Sequence, residues 1–172
     1  MVYAIVKAGG RQEKVSVGDV VVVAGCGPIG LGMIAGARAK SPAHVVALDL
    51  APAKLDLARE CGADVLVDIT TENAEDVVRG LTDGYGADIY LDATGHPSAV
   101  AQGLAMLRKL GRYVEYGVFG ENVSVDWSII SDIKELDVLG AHLGPTIRRY
   151  SVVAGWGFAG VMASGLLLAW TN

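Results

Sequence analysis

Six short apolar runs constrain this chain more than any other feature: "VVVVA" (20–24), "HVVALD" (44–49), "DVLVD" (64–68), "DIYLDA" (88–93), "GRYVEYGV" (111–118) and "LDVLGAHL" (136–143). A run such as "VVVVA" does not alternate apolar with polar residues. As a strand it must be buried on both faces, which requires a parallel sheet covered by helices. Four segments of helical character, 28–39, 52–61, 73–82 and 97–108, separate the first five runs, and the longer link 119–135 is expected to hold one helical turn at "WSIISD". In "APAKLDLARECG", Leu55, Ala58 and Arg59 fall on neighbouring turns and Gly62 stands where a helix C-cap belongs. Pro52 and Pro97 stand near helix starts, where a missing N–H costs nothing. This strand–helix alternation predicts an α/β fold with a doubly wound, mostly parallel six-stranded sheet.

The glycines after the first run give that fold a chemistry. Gly25-Cys26-Gly27-Pro28-Ile29-Gly30 follows a strand directly and opens a helix. In that context the G-x-G-x-x-G pattern is the dinucleotide fingerprint of a Rossmann sheet. Gly25 permits the tight turn, Gly27 lets the backbone approach a pyrophosphate, and Gly30 lets the helix pack close to the strand. The phosphates then face free N–H groups at the helix N-terminus. Asp49 ends the second run, where an acid accepts the ribose hydroxyls and a 2′-phosphate would meet a carboxylate, so the expected cofactor is NAD rather than NADP. Asp49 can also be read as a helix cap before "LAPAK", and Lys54 either as a solvated lysine or as a second ribose contact.

Composition narrows the alternatives. The net charge of −5 offers no basic face for nucleic acid. The two cysteines, Cys26 and Cys61, form no C-x-x-C pair, which points to free thiols in a reducing cytoplasm. Residues 1–18 alternate around "AGGRQ" and predict a hairpin. Residues 146–172 break the strand–helix rhythm, and 151–170 carry no charge. That tail reads either as an apolar helix near membrane-spanning length or as a segment packed on the domain. The expected organisation is a hairpin-like segment 1–18, a cofactor domain 19–145 and an apolar tail 146–172.

Two resemblances follow. Residues 1–19, "MVYAIVKAGGRQEKVSVGD", resemble the opening of the bacterial large-subunit ribosomal protein L-twenty-one. Lys7, Arg11 and Lys14 would then touch RNA phosphate, although three cations on a hairpin also suit a solvated face. From about Asp19 to Pro145 the chain resembles the cofactor domain of medium-chain, zinc-type alcohol and polyol dehydrogenases. The likeness runs through "GDVVVVAGCGPIGLG", "ALDLAPAKLDLARECGAD", "LTDGYGADIYLDATGHPSAV", "GLAMLRKLGRYVEYGVFG" and "KELDVLGAHLGP". Within that family it looks most like members acting on four-carbon polyols of the erythritol and threitol kind.

This second resemblance implies cofactor contacts beyond the fingerprint. Pro28 and Ile29 would lie at the pyrophosphate, and Asp49, Leu50 and Lys54 at the adenosine ribose. Thr94-Gly95 would follow the cofactor past the fourth strand, and Tyr116-Gly117-Val118 would pass the nicotinamide. Ala141, His142 and Leu143 would close its far end. His96 is expected to cap the helix at "PSAV", and His142 to pack. The family's zinc acts as a Lewis acid on the substrate alcohol, with Cys, His and Glu ligands from a separate catalytic domain. No residue of this chain is expected to ligate zinc or to act catalytically, so the expectation is an NAD-binding domain inactive alone. The partners implied are that zinc domain and a second copy paired through the sixth strand. The alternative is a non-enzymatic module, ribosome-associated through 1–19 or membrane-anchored through 151–170. A composite of ribosomal-protein start, dehydrogenase cofactor domain and unrelated tail accounts for all three pieces.

Overall fold

The computed structural model describes residues 4–8 and 11–140. The predicted hairpin forms: β1 (Ala4–Ala8) pairs antiparallel with β2 (Arg11–Val15), Ala4 opposite Val15 and Ala8 opposite Arg11. The strand–helix rhythm then produces β3 (Val20–Ala24), α1 (Pro28–Arg38), β4 (His44–Asp49), α2 (Pro52–Glu60), β5 (Val65–Asp68), α3 (Ala74–Leu81), β6 (Ala87–Asp92), α4 (Pro97–Met106), β7 (Leu107–Glu115) and β8 (Asp137–Gly140). Strands β3 to β8 form one parallel sheet in the order β5-β4-β3-β6-β7-β8. Because β3 and β6 are neighbours, the chain leaves their C-terminal ends toward opposite sides. That is the switch point at which open α/β sheets bind ligands.

The valines of β3 explain why the sheet is covered on both faces. Side chains alternate across a strand, so Val21 and Val23 enter one apolar layer with Met33, Ile34 and Ala37 of α1 and Leu55 and Ala58 of α2. Val20 and Val22 enter the other, with Val78 of α3 and Val100 and Leu104 of α4. Val21, Val22 and Val23 are fully buried, each contributing about 1.5–3 kcal/mol. Pro28, Pro52 and Pro97 each open a helix, and the Asn73 side chain caps α3 by accepting from the N–H groups of Glu75 at 3.0 Å and Asp76 at 3.4 Å. Gly62 follows α2 with φ +108°, the left-handed turn expected after a helix C-terminus.

Two boundaries differ from the sequence pattern, for tertiary reasons. Helix α4 stops at Met106 instead of 108, and the strand after it starts at Leu107 instead of Gly111. The Lys134 ammonium reaches the end of this helix from a distant loop. Its Nζ donates to the carbonyls of Leu104 (2.8 Å), Ala105 (2.7 Å) and Leu107 (2.7 Å), satisfying groups the helix leaves unpaired. At the other end β7 stops at Glu115, because the N–H groups of Tyr116 and Gly117 turn to the Asp92 carbonyl, at 2.8 and 3.1 Å. The helical turn expected at "WSIISD" is present as a wide turn over Ile129–Ile133. No helix among the described residues is long and apolar enough to cross a membrane. The tail 146–172, with its membrane expectation, lies outside the described residues.

Candidate functional site

The loop from β3 into α1 is built by its glycines. Gly25 has φ +85°, a left-handed conformation, and a Cβ there would press on Ala93 and Thr94 at 3.1 Å. A Cβ on Gly30 would overlap the Gly25 carbonyl oxygen, so α1 can lie this close to β3 only with glycine at that position. Gly27 is the opposite case: a Cβ there would meet nothing within 4 Å. It is the N-cap of α1, without a side-chain cap, and the first turn holds no acidic residue. The first helical bond runs from the Leu31 N–H to the Gly27 carbonyl at 2.9 Å, so the N–H groups before it have no partner within the helix. An open, positive helix end stands over empty space.

Asp49, the last residue of β4, joins this loop to the neighbouring strand. Its Oδ2 accepts from the buried Cys26 N–H at 2.8 Å, and its Oδ1 from the Ala51 N–H at 3.0 Å. The Lys54 ammonium lies 3.7 Å from the same Oδ1, on a half-exposed side chain. Each carboxylate oxygen carries two lone pairs, so Asp49 holds the glycine loop and keeps acceptor capacity toward solvent. Beside it, burial and then the Asp49 charge push the Cys26 thiol up to about 12, which keeps it neutral at physiological pH. Cys26 and Cys61 are both free.

A cleft of about 430 Å³ opens at the switch point. Gly25, Gly27, Asp49, Leu50 and Lys54 line one wall, and Thr94, His96, Ser98 and Gln102 line the other. Leu50, Ile29 and Val118 are large apolar side chains left 64%, 57% and 77% exposed around these strand ends, surface that an apolar or stacking ligand would cover. His96 caps α4: its Nδ1 lies 2.8 Å from the Ser98 hydroxyl and accepts from the Ser98 N–H at 3.3 Å.

Beyond the switch point, the ends of β6 and β7 are tied by buried polar groups. Asp92 is fully buried, and its Oδ1 accepts from the Thr94 N–H (2.8 Å) and hydroxyl (2.7 Å). The Thr94 hydroxyl in turn accepts from the His96 N–H at 3.0 Å. The Tyr113 hydroxyl lies 2.8 Å from Asp92 Oδ2 and 3.1 Å from Glu115 Oε2, and Glu115 Oε1 accepts from the Gly117 N–H at 2.5 Å. Gly95 (φ +66°) and Gly117 let the two strand-end loops touch backbone to backbone. A Cβ on Gly95 would sit 2.8 Å from the Val118 carbonyl, and one on Gly117 would run into Gly95. The Tyr90 and Tyr113 rings stack at 5.4 Å beneath Gly103 of α4.

Of the residues singled out in the sequence, Gly25, Gly27, Asp49, Leu50, Lys54 and Thr94 converge on the cleft. Pro28, Ile29 and Gly30 form the first turn of α1 beside it. Gly95, Tyr116, Gly117 and Val118 form the paired loops past β6 and β7. Ala141, His142 and Leu143 lie outside the described residues. The sequence pattern did not single out Ser98, Gln102 or Ile69 as cleft residues. Ser98 and Gln102 are four apart on one helix, a spacing that puts them on the same face. That spacing was the available signal.

Residues 28–156 match the family model described as "Zinc-binding dehydrogenase". The chain is 69% identical over 135 residues to the erythritol/L-threitol dehydrogenase of Mycolicibacterium smegmatis, covering 78% of this chain and 37% of that protein. It is 38% identical over 128 residues to the L-threonine 3-dehydrogenase of Bacillus subtilis, covering 74% of this chain and 37% of that one. An alcohol dehydrogenase structure from Thermotoga maritima superposes with a TM-score of 0.69 at 31% identity, over 72% of this chain and 35% of the other. The chain thus spans a little over a third of the length of these curated relatives. The matches lend no support to the ribosomal likeness of residues 1–19. With the strand order, the glycine loop and these matches agreeing, the chain belongs to the zinc-binding dehydrogenase family, and its parallel sheet is that family's NAD-binding Rossmann domain.

Proposed function

We propose that the cleft holds NAD with its adenosine ribose on Asp49 and Lys54 and its pyrophosphate over Gly25–Gly30 at the N-terminus of α1. The nicotinamide half then runs past Thr94-Gly95 toward Tyr116-Gly117-Val118. One observation carries the reading: the Asp49 carboxylate stands at the cleft wall beside Gly27, whose Cβ direction is open. The backbone there has room for a diphosphate, and the acid beside it accepts hydroxyls but repels a 2′-phosphate. When bound, NAD supplies the hydride acceptor. The residues of this chain bind it, orient it and cover its apolar faces.

The likeness to polyol and alcohol dehydrogenases supports a full-length enzyme that passes hydride between a secondary alcohol or polyol and NAD. Among the described residues no group of three His, Cys, Asp or Glu side chains could hold a metal ion, so the described residues offer no zinc site. In such an enzyme the zinc ligands come from the remainder of the protein, and the role of this domain is to bind the cofactor. Strand β8 has a single strand neighbour among the described strands, and its outer edge is the surface for pairing with a second copy. Two free thiols suit a reducing, cytoplasmic setting.

The test is titration with NADH and NADPH, read by fluorescence on a sample shown to be folded. NADH binds, and NADPH binds about tenfold or more weakly, because its extra phosphate faces Asp49. Asp49→Asn narrows that difference. A folded sample that binds neither dinucleotide, or both alike, defeats the reading.

A further inference from the structure

The buried groups at the ends of β6 and β7 contain one hydrogen too few. Tyr113 carries a single hydroxyl hydrogen, yet its oxygen lies within hydrogen-bond distance of two carboxyl oxygens, Asp92 Oδ2 at 2.8 Å and Glu115 Oε2 at 3.1 Å. With both acids ionised, one of those contacts would set lone pair against lone pair in a buried site. Asp92 already accepts two bonds from Thr94, the environment of an ionised carboxylate. Glu115 accepts from the backbone N–H groups of Gly117 and Tyr116, and its contact with the Tyr113 oxygen is the longer of the two, so the tyrosine hydrogen lies toward Asp92. The consistent assignment has Tyr113 donating to Asp92, and a protonated Glu115 Oε2 donating to the Tyr113 oxygen.

We propose that Glu115 is a positioning residue. In its protonated form it locks together, through Tyr113 and Asp92, the two strand-end loops on which the nicotinamide half of the dinucleotide lies, so dinucleotide affinity falls as that proton is lost. This rests on the NAD site described above. The lock has two arms. Glu115 holds Gly117, which is in backbone contact with Gly95, while Asp92 holds Thr94, which holds the His96 N–H at the cleft.

The described groups around Glu115 agree on the direction. Burial, and then the Asp92 charge, push its carboxyl up to about 7 against the lowering bonds from Tyr113, Gly117 and Tyr116. Asp92 faces it from β6, with Tyr90 stacked on Tyr113 behind. The register partner on β8 is Gly140, and α4 (Pro97–Met106) brings no titratable side chain. The folded chain thus binds a proton that the unfolded chain has released between an ordinary glutamate pKa of 4.5 and about 7. This group's contribution to stability falls as pH rises through that window and is level above it.

The test uses the full chain and Glu115→Gln, whose amide keeps the donor to Tyr113 and the acceptor for Gly117. Without ligand, carbon-13 NMR of labelled glutamate carboxyls, assigned by the signal missing in the variant, shows Glu115 titrating near neutrality. NADH affinity of the parent chain falls by up to about tenfold per pH unit above about pH 7, the limit for one linked proton. Glu115→Gln removes that slope, and any contribution of His96 persists in the variant. Titration of Glu115 in the ordinary carboxylate range overturns the proposal, as does NADH binding whose pH slope is unchanged in Glu115→Gln. NADH unbound at every pH, with Glu115 seen to titrate near neutrality, defeats the NAD site and this proposal's loop-locking role with it.

Discussion

At the end of β4, Asp49 keeps 8% of its surface exposed, accepts two backbone N–H groups and stands at the cleft within reach of Lys54. At the end of β6, Asp92 has no exposed surface and turns every described side-chain bond inward, to Thr94 and Tyr113. Each acid is the last residue of a strand that flanks β3. One side of the switch point leaves a carboxylate partly unsatisfied, so a ligand can complete it. The other side satisfies its carboxylate internally and so ties the loops after β6 and β7 to the sheet. Buried polar groups that are fully paired rigidify a site, whereas those with spare acceptor capacity recognise.

The glycines of α1 give the strongest way to break this contrast. Gly30→Val drives a side chain into the Gly25 carbonyl and is expected to cost about 3 kcal/mol or more, read as a lower urea midpoint, with NADH binding lost as well. Gly27→Asp separates binding from folding. Its φ of −75° suits any residue and its Cβ meets nothing, so the urea midpoint should hold while NADH affinity drops by about a hundredfold, roughly 2.7 kcal/mol. A parallel loss of stability would show that the open space at Gly27 is not the phosphate cradle.

On the other side of the switch point, Tyr113→Phe leaves Asp92 and Glu115 facing each other without their shared hydroxyl. The expected destabilisation is about 1–3 kcal/mol, larger at pH 8 than at pH 5, because the two acids then repel as ions. Equal loss at both pH values would contradict a shared proton. The smallest effect lies far from both acids. Asn73→Ala removes the cap of α3 and should cost about 1 kcal/mol with NADH affinity unchanged.

The recognising side was readable along the chain because its logic is local. The fingerprint places Gly25, Gly27 and Gly30 within six residues, and the distance to Asp49 is one crossover unit. The doubly wound class followed from the same pattern, since parallel strands joined by helices have few ways to wind. The opposite side was not readable. The family resemblance implied a cofactor contact for Tyr116-Gly117-Val118, and Asp92, Tyr113 and Glu115 carried no motif.

What made those three residues a group is the pairing of β6 with β7. Its register slips between Ala87 and Ile89, beside Leu110 with φ +60°, and then sets Asp92 opposite Glu115. A shift of one residue would have turned Glu115 to the other face of the sheet. The end of α4 was decided in the same way, by Lys134 arriving from 27 to 30 residues further along the chain. The amino-acid sequence by itself determined a doubly wound sheet, its glycine loop and the acid that ends the next strand, because periodicity and turn chemistry act over a few residues. Only the tertiary structure decided which acids meet at the Tyr113 hydroxyl, because that depends on register between strands and on burial, neither of which any local stretch encodes.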